Sequence, residues 1–311
     1  MSGETGSTES PDSRRIVVGY SGMDGSEPAL DWAVETALRE DRPLTILHCY
    51  DLAHVPVLGP APPDQQSELI ADAADEVVAG AVERAALVLG RAKVTGSSIL
   101  GGAAGELVTA SETAHLVVTG SHGRGRLLGG LLGSTSYTVT AHARCPAVVV
   151  RGEASLHPDA EHRVVVGVDD SEAALHALDR AGEVAARAGA PLHLVRAIHP
   201  SVDLHTQPEL GPMVYGEAYA IDHARFADEL RGYAADATAE LVERVTRAHP
   251  TLVVTFEVVE DSPGLAIARV GAGAGLVVVG SRGRGGFAGM LLGSVSHTVI
   301  HHATSPVMVV R

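Results

Sequence analysis

The stretch that decides the fold is a glycine-rich loop that follows a short apolar run and precedes a helical pattern. It reads Gly120-Ser-His-Gly-Arg-Gly-Arg-Leu-Leu-Gly-Gly-Leu-Leu-Gly-Ser134, and a second copy reads Gly280-Ser-Arg-Gly-Arg-Gly-Gly-Phe-Ala-Gly-Met-Leu-Leu-Gly-Ser294. Both copies have the spacing Gly-x-x-Gly, nine residues, then Gly-Ser. A loop that occurs twice with the same spacing predicts two copies of one structural unit.

The repetition extends over nearly the whole chain. Residues 120–151 match residues 280–311 at 19 of 32 positions, at an offset of 160 and without a gap. The beginnings of the two halves match at an offset of 148, so the second half is 12 residues longer, and we expect the additional residues in the proline-containing stretch 199–220. The predicted organisation is a disordered tail at 1–13, a domain at 14–151, a linker at 152–161 and a domain at 162–311.

The composition excludes several classes of protein. A formal net charge of −15 over 311 residues argues against a general nucleic-acid or anionic-membrane binder, which needs a basic face. The N-terminal residues are acidic and polar, so they do not predict a signal peptide. No run approaches the about 18 apolar residues of a membrane span, and we expect a cytoplasmic protein. Cys49 and Cys145 are far apart and suggest neither a disulfide framework nor a zinc site.

Short apolar runs alternate with longer helical patterns in each half. Runs such as Val164–Val168 and Leu276–Val279 are apolar at nearly every position, which is typical of parallel strands covered on both faces. The alternation predicts two tandem doubly wound, Rossmann-like α/β domains. In such sheets ligands bind beyond the carboxyl ends of the strands, and the glycine loop follows one of those ends.

The loop has the chemistry of an anion site. Glycine lets the backbone approach a ligand closely, and unpaired N–H groups at a helix N-terminus attract phosphate. Ser134 and Ser294 stand at or near the N-cap, where a hydroxyl binds a phosphate oxygen or caps the helix. A tight turn with an ordinary serine cap is the alternative. A Walker A loop is excluded because it needs lysine, and Lys93 is the only lysine in the chain.

These motifs resemble the tandem universal stress protein family. Its marks are a first strand that ends Val-Gly-Val-Asp at 166–169, the glycine loop, and a last strand that opens with proline and ends Val-Val-Arg. The resemblance covers nearly all of the chain after about Arg14. It implies a five-stranded parallel sheet in each domain and bound ATP, whose triphosphate lies on the loop. It also implies pairing through the last strands, both within a chain and between chains as a homodimer. We expect Mg²⁺ to accompany the ATP, because it needs few protein ligands.

The residues expected to contact ATP are the matched motif positions together with further residues of the strand ends, the loops and the starts of the following helices. In the first half they are Gly19, Gly120, His122, Gly123, Arg124, Gly125, Arg126, Gly133, Ser134 and Thr135. In the second half they are Gly167, Val168, Asp169, Gly280, Arg282, Gly283, Arg284, Gly285, Gly293, Ser294, Val295 and Ser296. The four loop arginines add charge to a phosphate site or are solvated loop residues, and both interpretations stay open.

The first half departs from the motif at the strand end. The ungapped alignment places Tyr20 opposite Val168 and Ser21 opposite Asp169, although Asp24 would take that place if the loop bulged. A serine lacks the charge-assisted hydrogen bond that a carboxylate makes to a ribose hydroxyl. We therefore predict that the second half binds ATP better than the first.

The expected function is an ATP-binding regulatory role in stress response or growth control, with protein partners that the sequence does not name. No Ser–His–Asp order or pair of acids presents a catalytic set, so we expect at most weak ATPase activity. His297 and His301 share a helix face without an evident third ligand, and no metal site made by protein side chains is predicted. Two alternatives remain open: a slow ATPase or nucleotidyl transferase, and an interaction module that does not bind nucleotide.

Overall fold

The computed structural model describes residues 14–51, 63–121, 132–151, 156–198, 217–283 and 291–311. The predicted tail at 1–13 lies outside these residues, as do the first part of the predicted linker and most of the predicted insertion. None of the described helices is both long and apolar enough to cross a membrane.

Strands and helices alternate in both halves in the same order. The first half contains β1 (Ile16–Gly19), α1 (Glu27–Arg39), β2 (Leu44–Tyr50), α2 (Pro63–Leu89), β3 (Val94–Leu100), α3 (Ala103–Ala110), β4 (Leu116–Gly120), α4 (Ser134–His142) and β5 (Ala147–Val150). The second half contains β6 (Val164–Gly167), α5 (Glu172–Ala188), β7 (Leu192–Ile198), α6 (Glu217–Ala248), β8 (Val254–Glu260), α7 (Pro263–Val270), β9 (Leu276–Gly280), α8 (Ser294–His302) and β10 (Val307–Val310). The prediction of two tandem doubly wound α/β units is confirmed.

The ten strands form one continuous sheet in the order β3-β2-β1-β4-β5-β10-β9-β6-β7-β8. Pairing within each half is parallel throughout, which confirms the expected five-stranded parallel sheets. The two halves meet where β5 and β10 pair antiparallel, with Met308 opposite Val148. A strand that has a neighbour on both sides has no free edge.

The last strands, β5 and β10, are therefore interior strands of the sheet. Pairing of these strands within the chain is observed, but it occupies the edge through which a homodimer was expected to form. The strands at the two ends of the sheet are β3 and β8. An association of two chains through last-strand edges finds no unpaired strand in this arrangement.

The core is aliphatic because the chain has few aromatic residues. One layer packs α1, α2, α5 and α6 against one face of the sheet and includes residues of both halves, such as Val148 and Met308. Trp32 on α1 is the largest fully buried side chain among the described residues. The other face is covered by α3, α4, α7 and α8. Two covered faces explain why the central strands are apolar at nearly every position.

Two arginines join the halves across the central strand pair. Arg151, which follows β5, donates a hydrogen bond from Nη1 to the carbonyl of Ile300 near the end of α8. In the mirror contact, Arg311 after β10 donates from Nη2 to the carbonyl of Ala141 near the end of α4. A cation at a helix C-terminus satisfies unpaired carbonyls and interacts favourably with the helix dipole. Each half thus caps the helix that follows the glycine loop of the other half.

A buried ionic cluster joins the halves on the α1–α5 side. Glu40 is the C-cap of α1 and has a buried side chain, whose Oε1 lies 3.3 Å from Nη2 of Arg180 on α5 and 3.4 Å from Nη1 of Arg187. Its Oε2 lies 3.0 Å from Nε2 of His115 and 3.3 Å from Nε of Arg42. One carboxylate is therefore surrounded by cationic and imidazole groups from both halves. Burial acts to raise the pKa of Glu40, but the His115 hydrogen bond and the charges of Arg180, His115 and Arg187 outweigh it and hold the pKa at about 2.

This depressed pKa predicts a loss of stability in acid. The usual value for glutamate is 4.5, so the contribution of Glu40 is fully present above that pH and is lost as the pH falls from 4.5 to about 2. It is on the order of 3 kcal/mol. We expect the difference in free energy of unfolding between the wild type and Glu40→Gln to shrink by that amount across this window. Urea titrations at several pH values measure it, and a pH-independent difference would contradict the assignment.

Candidate functional site

A cavity of about 490 Å³ opens at the carboxyl edge of the second half of the sheet. The ends of β6, β7 and β9 form its floor, and α6 together with the starts of α7 and α8 forms its walls. A volume of this size is typical of sites that hold a small ligand. Residues of the predicted site that line the cavity are Gly167, Val168, Asp169, Gly280, Arg282, Gly283, Val295 and Ser296.

The two parts of the predicted motif meet in this cavity. A Cβ atom at Gly283 would lie 2.8 Å from Oδ2 of Asp169, so the glycine loop runs directly past the carboxylate that follows β6. Oδ1 of Asp169 accepts hydrogen bonds from the backbone N–H and the hydroxyl of Ser171, at 2.9 and 2.5 Å. The carboxylate is thereby held in a defined orientation beside the loop. More than 110 residues separate the two motif parts in the chain, and the parallel pairing of β6 with β9 brings them together.

Gly280 and Gly120 have a packing role that the sequence did not suggest. A Cβ atom at Gly280 would lie 2.7 Å from the carbonyl of Ala173, and one at Gly120 would lie 2.3 Å from the carbonyl oxygen of Gly25. Each of these glycines lets the segment that leads into the first helix of its half pack onto the end of the fourth strand. The two contacts also support the ungapped alignment, since Gly25 and Ala173 are related by the offset of 148.

The predicted serines divide into two kinds. The hydroxyl of Ser296 is buried and donates to the carbonyl of Gly280 at 2.5 Å, and Ser136 does the same to Gly120 in the first half. These hydroxyls close the base of the loop, as does the bond from the N–H of Gly293 to the carbonyl of Ser281.

Ser134 and Ser294, by contrast, are exposed at the first position of α4 and α8, each behind a glycine N-cap. Neither hydroxyl is used to cap its helix. Exposed hydroxyls at a helix N-terminus suit an anionic ligand.

The corresponding strand end of the first half has different chemistry. The hydroxyl of Ser21 donates to the hydroxyl of Ser26 at 3.1 Å, inside a short turn. Gly22, with φ +72°, lies against α2, because a Cβ atom there would be 2.8 Å from Cγ1 of Val77. Tyr20 is buried and donates to Glu27 at 2.5 Å; burial and then this bond raise the pKa of Tyr20 to about 12. The side chains of Ser21 and Tyr20 thus have hydrogen-bond partners within the first half.

The structure leaves part of the predicted set undescribed. His122, Gly123, Arg124, Gly125 and Arg126 of the first loop and Arg284 and Gly285 of the second lie outside the described residues. Gly19 is described, and the side chain of Leu107 on α3 packs against it. Gly133 is the N-cap of α4, and Thr135 lies in the first turn of that helix. Asp24 lies in the 3₁₀ turn Asp24–Ser26.

A group of side chains that no sequence motif indicates lies at the end of the cavity away from the glycine loop. Arg196 near the end of β7 is buried, and it donates from Nε to the hydroxyl of Thr238 at 2.8 Å and from Nη2 to Oδ1 of Asp170 at 3.0 Å. Tyr233 on α6 lines the same end and is 75% exposed. The available signal was a lone arginine inside the otherwise apolar carboxyl half of a strand, which predicts a paired or ligand-facing charge.

The histidines of α8 form a ring contact. The rings of His297 and His301 are 4.3 Å apart between centroids, and His297 meets Tyr137 of α4 edge-to-face at 5.8 Å. This contact belongs to the junction between the halves. Within the described ranges, no three His, Cys, Asp or Glu side chains are grouped as metal ligands.

The fold and the repeated motif define a tandem doubly wound α/β protein with a cavity at the carboxyl edge of its second half. The sequence model of the Universal stress protein family matches residues 13–151 and 161–311. Universal stress protein Rv2005c of Mycobacterium tuberculosis is 34% identical over 301 residues, which cover 95% of this chain and 96% of the relative. Universal stress protein Rv2623 of the same organism is 35% identical over 306 residues, with the same coverage. The chain belongs to the universal stress protein family.

A solved structure shares the whole architecture. The crystal structure of a universal stress protein from Archaeoglobus fulgidus matches with a TM-score of 0.64 and 22% identity, over 96% of this chain and 98% of that one. At this level of identity the likeness concerns the fold alone. It agrees with the tandem arrangement described above.

Proposed function

We propose that the protein binds ATP in the cavity of its second half and serves as an adenine-nucleotide sensor in stress response or growth control. The observation that carries the proposal is the meeting of Asp169 with Gly280 and Gly283 around a cavity of about 490 Å³. The exposed N-terminus of α8, with Ser294 at its first position, supports phosphate binding at the loop end. Mg²⁺ accompanies the nucleotide through phosphate oxygens and water, which requires few protein ligands.

The two halves are proposed to differ in affinity. Asp169 offers a negatively charged acceptor at the cavity, whereas Ser21 is engaged in the turn that contains Ser26. Val77 lies against Gly22 in the first half, where the second half has Ala237 lining the cavity. The smaller side chain of Ala237 on α6 and the carboxylate of Asp169 after β6 both favour ligand binding in the second half.

The first experiment identifies the ligand directly. Freshly purified protein is denatured by heat, and any released small molecule is identified by chromatography and mass spectrometry. ATP at about one per chain is the expected result. Recovery of ADP alone would instead support the slow-ATPase alternative. No released nucleotide, together with no binding of added MgATP by calorimetry, would contradict the proposal.

A pair of substitutions at equivalent positions tests the asymmetry. Asp169→Asn keeps an oxygen acceptor for Ser171 but removes the charge, and we expect the Kd for MgATP to rise about tenfold. Ser21→Ala is the matched control in the first half and is expected to leave that Kd unchanged. Isothermal titration calorimetry measures both, and equal effects of the two substitutions would contradict the ranking of the halves.

A further inference from the structure

The cavity has two chemically distinct ends. Glycine-loop backbone and the start of α8 form one end, at Gly283 and Ser296. Apolar side chains line the other, including Val195, Ile198 and Leu230, and Arg196 and Tyr233 lie among them. If a nucleotide places its phosphates at the loop, the apolar end is left for the base, since a flat heterocycle suits apolar and aromatic walls.

Arg196 presents a donor at the apolar end. Its side chain is 7% exposed and lines the cavity. Nε is bonded to Thr238 and Nη2 to Asp170, so the orientation of the guanidinium is defined from two sides. No bond to Nη1 is present within the described part of the chain. A buried cation held in this way has a donor available for an acceptor atom on a ligand.

Tyr233 presents an aromatic face at the same end. It is 75% exposed, although its neighbour Ala234 is buried against the sheet. An exposed tyrosine ring on a cavity wall is a surface on which a base can stack, and such stacking is tolerant of base identity. A single guanidinium donor beside the ring adds a preference for a base that carries an acceptor on the facing edge.

The first half lacks every member of this group. The offsets that relate the halves are 148 before the insertion and 160 after it, as the strand registers show. Positions equivalent to Asp170, Arg196, Tyr233 and Thr238 hold Gly22, His48, Ala73 and Val78. His48 uses Nδ1 in a 2.8 Å hydrogen bond with the carbonyl of Tyr20. The group is therefore a property of the second half and not of the repeated fold.

From these contacts we infer that Tyr233 and Arg196 form a base-recognition subsite, in which the ring stacks on the heterocycle and Nη1 of Arg196 donates to an acceptor on its edge. The inference rests on the proposed nucleotide binding, and it adds the residues that contact the base. Tyr233 thus contributes affinity for the base, Arg196 adds the preference for an acceptor on its edge, and the glycine loop contributes affinity for phosphate.

The test compares MgATP with inorganic tripolyphosphate, which has the phosphates but no base. For the wild type we expect ATP to bind at least tenfold more tightly than tripolyphosphate. Tyr233→Ala is expected to weaken ATP about tenfold and to leave tripolyphosphate unchanged. Tyr233→Phe keeps the ring and is the matched control, with both affinities as in the wild type. Since Tyr233 is exposed, these substitutions leave the core intact.

Arg196→Lys is the second variant, because it keeps a buried positive charge but loses the planar guanidinium. We expect it to reduce the preference for ATP over tripolyphosphate several-fold, with folding checked by thermal unfolding. The inference is overturned if the wild type binds both probes equally, or if Tyr233→Ala leaves the preference unchanged or weakens both probes alike. A folded wild type that binds tripolyphosphate but no nucleotide, or neither probe, overturns the proposed function itself.

Discussion

Replacing Glu40 by alanine is expected to lower the free energy of unfolding by about 3 to 5 kcal/mol. Removal of this carboxylate leaves the largely buried guanidinium of Arg180 without its 3.3 Å partner and also deprives Arg42, whose side chain is buried, of a contact at 3.3 Å. Uncompensated buried charges are far more costly than the loss of an ion pair in water. We expect both halves to be destabilised, because the cluster joins α1 of the first half to α5 of the second half.

Glu183→Ala is the matched control for this prediction. Glu183 contacts the same arginine, with its Oε2 3.0 Å from Nη1 of Arg180, but its side chain is 53% exposed. Ion pairs at the surface contribute at most about 1 kcal/mol. Guanidinium chloride unfolding of the wild type and both variants measures the difference. Similar losses in the two variants would mean that the Glu40 cluster is no more than a surface ion pair.

Replacing Gly283 by aspartate is expected to weaken the binding of MgATP by about a hundredfold or more. A Cβ atom at this position would lie 2.8 Å from Oδ2 of Asp169, so the new side chain displaces that carboxylate or the loop. Its charge would also repel both Asp169 and the phosphates of the ligand. Calorimetry with MgATP measures the loss, and unchanged thermal unfolding of the free protein shows that the fold is retained.

Gly102→Asp provides a control with the same chemical change. Gly102 has φ −80° and caps α3, and an added Cβ atom there meets nothing within 4 Å. It does not line the cavity. We expect ATP affinity as in the wild type, since aspartate is well tolerated at an N-cap. If Gly283→Asp bound MgATP like this control, the second glycine loop would not be the phosphate site.

Several elements followed from the sequence because their causes are local. The apolar runs Val164–Val168 and Leu276–Val279 predict strands, and the structure has β6 at Val164–Gly167 and β9 at Leu276–Gly280. Apolar periodicity marks the middle of an element more clearly than its ends, where caps and fraying intervene.

Only part of the candidate site can be predicted from short stretches of the sequence. A spacing of glycines within fifteen residues is visible in the sequence, and so is an aspartate directly after a strand. Arg196 and Tyr233 belong to no such motif, because α6 brings Tyr233 to the end of β7 only after the chain has folded. Arg124 and Arg284 lie outside the described residues, and their contacts with a nucleotide stay predictions.

By itself the sequence determined the repeated α/β unit, the parallel direction of the strands in each half and the positions of the two glycine loops. These depend on periodicity and on residue types close together in the chain. Only the tertiary structure decided that the pairing of β5 with β10 leaves no free last-strand edge, and that Glu40 is surrounded by arginines of both halves. It also decided that Asp169 lies at a cavity, whereas Ser21 and Tyr20 bond to Ser26 and Glu27 within their own half. Contacts between distant residues depend on how whole elements pack, and no short stretch of sequence contains that information.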